Sequence, residues 1–416
     1  MQTVSKTRPS FVAALLVALA FALGFAEFVL IGITPDVAEG LGEPLTLIGD
    51  IVGYYALACA VATPVVALAT ARANRFKLTA VLLVVFNAGN LLTLFADGYA
   101  LLLVSRLLPA ATSGTLLAIA LTYVPEIVDA GKVARALSFV LAGFSVSSVI
   151  GVPIGTALAD AFGWKAAYAC VLALGLVVSA LLLPALPRKA RAVHETTTLR
   201  SQLRLLGDRR VLANIAMILA GAASTYVFYT YLTPALEDVM GFGGAAVSVI
   251  LLGLGAACVA SNLLSGWVAN RFGMRALPLT FALHAGLLAL LTVTVPLGAA
   301  GLADIACVCL LMYVMNSTVQ MLFQDVARRD YPSALTFSAS LHPMSFNAGI
   351  ALGSFAGGVA VNAGGLLATG PIGALFALVA AVLALVLVRL TARQREKSAA
   401  VERLGNKLED RFKESA

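Results

Sequence analysis

Residues 11–33 read FVAALLVALAFALGFAEFVLIGI, an apolar stretch with one charged side chain, Glu27. In a helix, about twenty apolar residues suffice to cross the hydrocarbon core of a bilayer, which is about 30 Å thick. Lys6 and Arg8 precede the stretch, as in a signal peptide, but it is too long for one and continues to Pro35. It therefore indicates a retained transmembrane helix.

Similar runs recur along the chain, twelve in all, the last at about residues 366–388. The 416 residues are 60% hydrophobic and 12% charged, whereas soluble domains have about 45–50% and about 25%. Backbone groups in lipid must be paired within their own segment, and the alternation of a membrane β-barrel is absent from the sequence. The sequence therefore predicts an all-α membrane protein with twelve transmembrane helices.

The basic residues lie almost entirely on one side of this topology. Of the 28 Lys and Arg residues, all but Arg106 and Lys165 fall in the termini or in loops on the N-terminal side. Cytoplasmic loops carry such an excess, so both termini are predicted to be cytoplasmic. The formal net charge of +7 is explained by this topology and by contact with anionic membrane lipid, so no nucleic acid is expected as a partner.

The longest internal polar stretch divides the twelve predicted spans into two sets of six. Sequence pairs recur across it at a nearly constant offset, as expected after a duplication. The matching pairs are Ala73-Asn74-Arg75-Phe76 with Ala269-Asn270-Arg271-Phe272, Thr34-Pro35 with Thr233-Pro234, and Gly151 and Gly155 with Gly353 and Gly357. We predict an N-terminal six-helix bundle (1–187), a cytoplasmic linker (188–211), a C-terminal six-helix bundle (212–391) and a cytoplasmic tail (392–416) with the spacing of an amphipathic helix.

Two six-helix halves joined by a basic linker resemble the major facilitator superfamily. More specific stretches resemble its bacterial drug:proton antiporters, and in particular the branch of sugar-efflux, purine-efflux and chloramphenicol-export transporters. These stretches are Glu27-Phe28 and Thr34-Pro35-Asp36, Gly151-Val152-Pro153-Ile154-Gly155, Tyr229-Thr230-Tyr231-Leu232-Thr233-Pro234, and Phe346-Asn347-Ala348-Gly349. The resemblance implies two pseudo-symmetric bundles in the bacterial plasma (inner) membrane that transport a solute by alternating access, as a monomer.

Two ionisable side chains lie well inside the predicted spans, Glu27 in the first and Arg106 in the fourth. An intramembrane charge costs about 3 kcal/mol or more and is a functional candidate by default. Both lie about 10 Å from the outer ends of their helices, at 1.5 Å per residue, so they share a depth. We interpret them as the proton-coupling residues. The alternatives are a static buried carboxylate for Glu27 and, for Arg106, hydrogen bonds to helix-end carbonyls or lipid headgroups.

The C-terminal half has no acid or Lys/Arg deep in a span, but it offers aromatic and amide side chains. Tyr226 and Tyr229 share a face of the seventh helix, and a tyrosine suits a planar or amphipathic solute. We expect both tyrosines, with Asn347 and Gln320, to bind the substrate. Packing of the tyrosines against lipid is the alternative. The lone histidines, His284 and His342, are expected to have packing roles.

Several residues are predicted to act in conformational change. Gly151 and Gly155 allow another helix to approach, and Pro153 bends the span, although packing alone would explain them. Arg72, Arg75 and Arg271 lie in loops that resemble the family's cytoplasmic signature, in which Ala71 stands at the place of the usual aspartate. These arginines are conformational candidates, and enforcement of topology is the alternative.

The sequence thus predicts export of a small organic solute (a drug, a sugar, or a nucleobase or nucleoside) in exchange for protons. The proton gradient is the energy source, and no cofactor is expected. A facilitator or importer on the same fold, or a non-transporting membrane receptor, is the alternative. The chain lacks a Gly-Lys-Ser/Thr phosphate loop and any grouping of nucleophile, base and orienting residue, which argues against an ATP-driven pump and an enzyme. The five cysteines fall inside spans, so no metal site is expected.

Overall fold

The computed structural model describes residues 9–70, 73–187 and 204–414. In these ranges, twelve helices are long and apolar enough to span a membrane, and no strand is present. In chain order they are α1 (Ser10–Gly32), α2 (Leu45–Val66), α3 (Arg75–Leu94), α4 (Tyr99–Ile127), α5 (Arg135–Phe162), α6 (Trp164–Ala185), α7 (Arg209–Val239), α8 (Gly244–Arg271), α9 (Gly273–Leu297), α10 (Ala299–Asp330), α11 (Phe337–Gly364) and α12 (Leu366–Gln394). The prediction of an all-α, twelve-span fold is confirmed.

Helices α1 to α6 and α7 to α12 form two bundles with the same pattern of packing. In the first bundle α1 packs on α5 and α6, and α4 packs on α2 and α3. In the second, α7 packs on α11 and α12, and α10 packs on α8 and α9. The bundles meet through α2 with α11 and through α5 with α8, two contacts that the same pseudo-symmetry relates. The helix of α12 continues to Glu414, through the segment predicted as a tail.

The two ends of this assembly differ in charge. We call the end at which Asp36, Asp97 and Asp160 lie the acidic end, and the end with Arg75 and Arg329 the basic end. By the distribution of basic residues, the basic end is the predicted cytoplasmic side.

Glycines let α5 lie against α1 at backbone distance. A Cβ atom added to Gly151 would lie 2.7 Å from the Phe25 ring, and one on Gly155 would lie 2.5 Å from Val29 Cγ2. Non-bonded carbon atoms normally stay at least about 3.5 Å apart. No residue larger than glycine therefore fits at either position without displacement of a helix. These two glycines therefore let α5 pack closely against α1, and their role in conformational change stays a prediction.

The second bundle repeats this arrangement between α11 and α7. Cβ atoms on Gly353 and Gly357 would each lie 2.6 Å from a backbone carbonyl oxygen, that of Ala223 and that of Val227. The glycine pairs matched in sequence therefore occupy equivalent places in the two bundles.

Three helices are irregular inside the membrane. A π-helical turn, Ser147–Gly151, precedes Pro153 in α5, where proline leaves the carbonyl of Val149 without its helical donor. Helix α7 is interrupted at Tyr231 and ends in a second π-helical turn, Ala235–Val239. Helix α10 is broken between Met312 and Asn316. Such irregular turns mark places where a helix bends and where its backbone lies open to neighbours.

Candidate functional site

Glu27 lies on α1 and is partly exposed. Among the described residues it has no hydrogen-bond or ion-pair partner. Its carboxylate is within electrostatic range of Tyr55 and Cys59 on α2, and of Tyr226 on α7 in the other bundle. Glu27 therefore faces the space between the two bundles. At the sequence offset that relates Thr34-Pro35 to Thr233-Pro234, Glu27 corresponds to Tyr226, so a carboxylate in one half is matched by a phenol in the other.

Arg106, on α4, is buried with 1% exposure. Its Nη1 donates a hydrogen bond to Asn90 Oδ1 on α3 (3.0 Å), and its Nη2 donates one to the carbonyl oxygen of Ala26 on α1 (2.6 Å). A buried cation is destabilising unless its donors are satisfied, and here neutral oxygens satisfy them. Arg106 thus holds the peptide that joins Ala26 to Glu27.

Two tyrosine rings complete the surroundings of Arg106. The guanidinium carbon lies 4.8 Å from the ring centre of Tyr168 and 5.2 Å from that of Tyr55. In the described part of the chain, no carboxylate oxygen lies within 4.0 Å of Arg106, so the direct pair with Glu27 is not formed in this conformation. The two charges nevertheless act on the same neighbours, Tyr55 and Cys59.

The C-terminal bundle presents a cluster of aromatic rings around Tyr226. The ring centre of Tyr226 lies 5.6 Å from Tyr229 and 6.1 Å from Phe346 of α11, in both cases edge to face. The Phe346 ring in turn lies 5.9 Å from Tyr313, at the break in α10, and 5.9 Å from His342. We call these five residues the aromatic cluster. Two predicted substrate residues, Tyr226 and Tyr229, belong to it.

Of the other residues singled out in the C-terminal half, Asn347, Gln320 and His284 lie outside the aromatic cluster. Asn347 follows Phe346 on α11; its Nδ2 donates to the Pro343 carbonyl (3.1 Å), and its buried Oδ1 has no partner among the described atoms. Gln320 is partly buried beyond the break in α10, and no described contact joins it to the cluster. His284 is buried on α9 and shares a 3.0 Å hydrogen bond with Thr225, whereas His342 lies in the cluster.

The bundles are in direct contact at the acidic end. Thr233 Oγ1 of α7 donates a buried hydrogen bond of 3.0 Å to the Ile31 carbonyl of α1. On the α2 and α11 side, Thr46 Oγ1 donates to Asn362 Oδ1 at 3.2 Å. Lower in the same seam, the rings of Tyr54 and Phe355 lie 5.0 Å apart. Together these contacts join the two bundles at the acidic end, above the space that Glu27 faces.

The seam between α5 and α8 is closed by close backbone approach. A Cβ atom on Gly255 would lie 2.6 Å from Val149 Cα, at the π-helical turn of α5. Nearer the acidic end, Gly244 lies against the carboxylate of Asp160.

Burial raises the pKa of Asp36, in the short helix Thr34–Leu41, and the carboxylates of Asp160 and Glu39 add to that effect.

At the basic end of the first bundle, Arg75 joins α3 to α4. Its Nη2 lies 2.5 Å from Glu126 Oε1, its Nη1 donates to Thr122 Oγ1 at 3.2 Å, and its guanidinium carbon lies 4.1 Å from the Tyr123 ring centre. Arg75 is buried, unlike most residues at helix ends. The acid that Ala71 does not supply in the predicted signature is thus supplied by Glu126 of α4.

The second bundle has a clamp of its own at the basic end, made by a different arginine between different helices. Arg210, at the start of α7, pairs with Asp208 (2.6 Å) and with Asp330 at the end of α10. Although partial burial of Asp208 opposes ionisation, the hydrogen bonds from Arg210 outweigh it and lower the pKa of this carboxyl. Arg271 is exposed and makes no ion pair with the described residues. Arg72 lies outside the described residues.

Five residues at these contacts were not predicted from the sequence: Asn90, Glu126, Tyr55, Tyr168 and Tyr313. Their roles depend on contacts between helices that are far apart in the chain. The apolar run of the fourth span ends at about residue 122 in the sequence, whereas α4 continues to Ile127 and carries Glu126.

Comparison with known proteins places the chain among transporters. The family described as Major Facilitator Superfamily matches residues 16–342. An uncharacterised MFS-type transporter of Bacillus subtilis, YtbD, is 36% identical over 88% of this chain and 92% of its own. A chloramphenicol resistance protein of Streptomyces lividans is 32% identical over 60% of this chain and 64% of its own. Among solved structures, a bacterial homologue of the lysosomal transporter Spinster, inward-facing and occupied, aligns with a TM-score of 0.77 at 16% identity, covering 92% of this chain and 98% of that one.

Proposed function

Since the chain belongs to the major facilitator superfamily and is a multi-pass membrane transporter of a small solute rather than an enzyme, we propose that it exports that solute in exchange for protons. The observation that carries the proposal is the position of Glu27. It is a partly exposed carboxylate without a partner in the described residues, and it faces the aromatic cluster across the space between the bundles. Such a carboxylate is free to exchange a proton with water when the space is open.

The two sides of this space suit different tasks. On α1, the bond from Arg106 to the Ala26 carbonyl fixes the backbone beside Glu27, so that the carboxylate keeps its position while its protonation changes. On the other side, Tyr226, Tyr229 and Phe346 offer flat apolar surfaces for a planar or amphipathic solute. We propose that proton and solute occupy this space alternately, because an ionised Glu27 favours a polar or cationic group of the solute nearby.

The conformation fits one stage of alternating access. The contacts between Thr233 and Ile31 and between Thr46 and Asn362 close the acidic end, whereas the clamps of Arg75 and Arg210 at the basic end each lie within one bundle. We propose that this is the inward-facing stage, in which a cytoplasmic solute enters from the basic end. Export is supported by the relative named a chloramphenicol resistance protein. Chloramphenicol, a sugar and a nucleoside are the first substrates to test.

The experiment uses purified protein in liposomes with an acidic lumen. Proton exit should drive uptake of the transported solute above its external concentration, and dissipation of the pH gradient should abolish this accumulation. Glu27→Gln should lose the accumulation while still binding solute. Glu39→Gln, which removes an exposed carboxylate of the short helix at the acidic end, is the matched control and should accumulate solute normally.

Two results would contradict the proposal. Accumulation by Glu27→Gln with unchanged dependence on the pH gradient would show that Glu27 does not couple transport to protons. Equilibration without accumulation by the unaltered protein would instead indicate a facilitator.

A further inference from the structure

A second cavity lies apart from the space between the bundles, at the basic end of the C-terminal bundle. Its volume is about 380 Å³, within the range of small-molecule sites. It separates the last part of α10 from the last part of α12, and the starts of α7 and α9 close its sides. None of the residues proposed above for proton coupling or solute binding lines it.

The lining of this cavity changes from apolar to charged towards its mouth. Met274, Met321, Leu322 and Val326 form an apolar wall of the kind that an acyl chain covers. Asp325 and Arg329, one helical turn apart on α10, lie at its charged part. Neither has an ion-pair partner in the described part of the chain.

One buried polar group supports a ligand in the cavity. Thr318 lines it and is 4% exposed, yet its hydroxyl oxygen has no hydrogen-bond partner among the described atoms. Other threonines in the spans donate to the carbonyl four residues earlier, as Thr79 and Thr280 do. A buried hydroxyl left without a partner costs about 1–3 kcal/mol, so a ligand that accepts its hydrogen bond would be stabilised at this point.

The charge around the cavity indicates the sign of the ligand. Within the lining, Arg210 is paired with Asp330 and also with Asp208, whereas Asp325 and Arg329 are unpaired charges of opposite sign, so the excess of positive charge comes from the residues around the cavity. Further arginines at the same end of the bundle are Arg209, Arg271, Arg275, Arg328 and Arg393. Basic pockets between transmembrane helices on the cytoplasmic side bind the phosphate groups of lipids.

We propose that this cavity is a binding site for an anionic phospholipid. Arg329 binds the phosphodiester, Thr318 donates a hydrogen bond to an oxygen of the lipid, and the methionine wall contacts the upper part of an acyl chain. Asp325 accepts hydrogen bonds from hydroxyl groups of the headgroup, which phosphatidylglycerol has and phosphatidylcholine lacks. The surrounding arginines favour a lipid with a net negative charge. A soluble phosphate ester carries the same chemical group as the phospholipid headgroup, so it is the alternative ligand of this cavity.

Native mass spectrometry of the full-length protein, delipidated in detergent, tests the site. Titration with phosphatidylglycerol, phosphatidylcholine and glycerol 3-phosphate separates the sources. We expect phosphatidylglycerol to bind at least about tenfold more tightly than the other two, because a charge-assisted contact and the acyl wall act together. Arg329→Gln should weaken phosphatidylglycerol binding by about tenfold, and Thr318→Val should weaken it about threefold or more.

Arg328→Gln is the matched control, since it removes the same charge from the next residue of α10, which does not line the cavity. It should change the affinity less than about twofold, as for a surface charge. The thermal unfolding midpoint of each lipid-free variant shows whether that variant is folded. Thr318→Val provides a second test of the site, because this substitution changes no charge. Equal weakening by Arg328→Gln and Arg329→Gln would overturn the proposal, because binding would then reflect general surface charge. Equal binding of phosphatidylcholine, or glycerol 3-phosphate binding as tight as that of phosphatidylglycerol, would also overturn it.

Discussion

Replacement of Gly255 by alanine perturbs the contact between the bundles at one defined point. The added Cβ atom would lie 2.6 Å from Val149 Cα, which belongs to the other bundle. Ordinary contacts between carbon atoms begin at about 3.5 Å, so α5 and α8 must move apart by roughly 1 Å in the closed arrangement. Because the obstructing atom is backbone, no change of side-chain rotamer relieves the clash.

The cost of such overpacking is about 1–3 kcal/mol. It applies only while the acidic end is closed, because Val149 and Gly255 lie in different bundles and separate when that end opens. Since each 1.4 kcal/mol is tenfold in an equilibrium constant, the ratio of the closed to the open arrangement should fall roughly 5-fold to 140-fold. Alanine also favours the helix over glycine, an effect of about 0.5–1 kcal/mol that does not distinguish the two arrangements.

Chemical cross-linking across the acidic end measures this shift. Thr46 and Asn362, whose side chains share a 3.2 Å hydrogen bond, are replaced by cysteine, and a short bifunctional thiol reagent joins them only when the end is closed. Cys307, the exposed native cysteine, is replaced by serine throughout. Gly255→Ala should lower the cross-linking rate, and the closed-to-open ratio derived from that rate should fall by at least about fivefold.

The control for this measurement is Gly253→Ala, on the same helix. A Cβ atom there has no neighbour within 4 Å, so cross-linking should be unchanged. Equal cross-linking in Gly255→Ala and the control would refute the view that this seam helps to close the acidic end. A loss of cross-linking in both variants would show that replacing a glycine of α8 by alanine lowers cross-linking whether or not the new methyl group meets the other bundle.

Three further predictions concern the buried charges and the clamps. Arg106→Gln should lower the free energy of unfolding by about 3 kcal/mol or more, since two charged hydrogen bonds are lost, and Arg106→Lys should restore only part of it; an unchanged unfolding midpoint would contradict this. In a double-mutant cycle, Arg75→Gln and Glu126→Gln should show a coupling of about 1 kcal/mol, a modest value because Glu126 is partly exposed, and strictly additive effects would exclude the ion pair. Asp208→Asn should lower the free energy of unfolding by about 1 kcal/mol at pH 7. Because the pKa of Asp208 is lower in the folded protein, the stability that its carboxylate provides is present above the ordinary pKa of Asp and is lost as the pH falls through the folded-state pKa. The difference in stability between Asp208→Asn and the unaltered protein should therefore shrink near about pH 4 and below.

The architecture was predictable because its signals are local. Runs of apolar residues give the spans and their number, and the placement of lysine and arginine gives a predicted orientation. The glycines that pair in sequence also pair in space, since Gly151 and Gly353 lie at equivalent contacts of the two bundles. Helix ends were less predictable, because α4 and α10 continue past the apolar runs into charged segments.

The two intramembrane charges of the candidate site were visible in the sequence, but their contacts were not. A charge deep in a span is visible in the sequence, so Glu27 and Arg106 were found. Their separation was not, because Arg106 is satisfied by Asn90 and by a backbone carbonyl, which carry no sequence signature. Gln320 was chosen for its polarity alone, and polarity does not tell which face of a broken helix meets the space between the bundles.

Each bundle contains its own glycine contacts and its own arginine clamp, and this has a consequence for engineering. Two co-expressed polypeptides, cut within the linker, should reassemble into an active transporter, because few contacts needed inside a bundle come from the other one. The linker would then serve to raise the effective concentration of one half near the other. Fragment complementation would let each half be labelled, titrated or replaced separately.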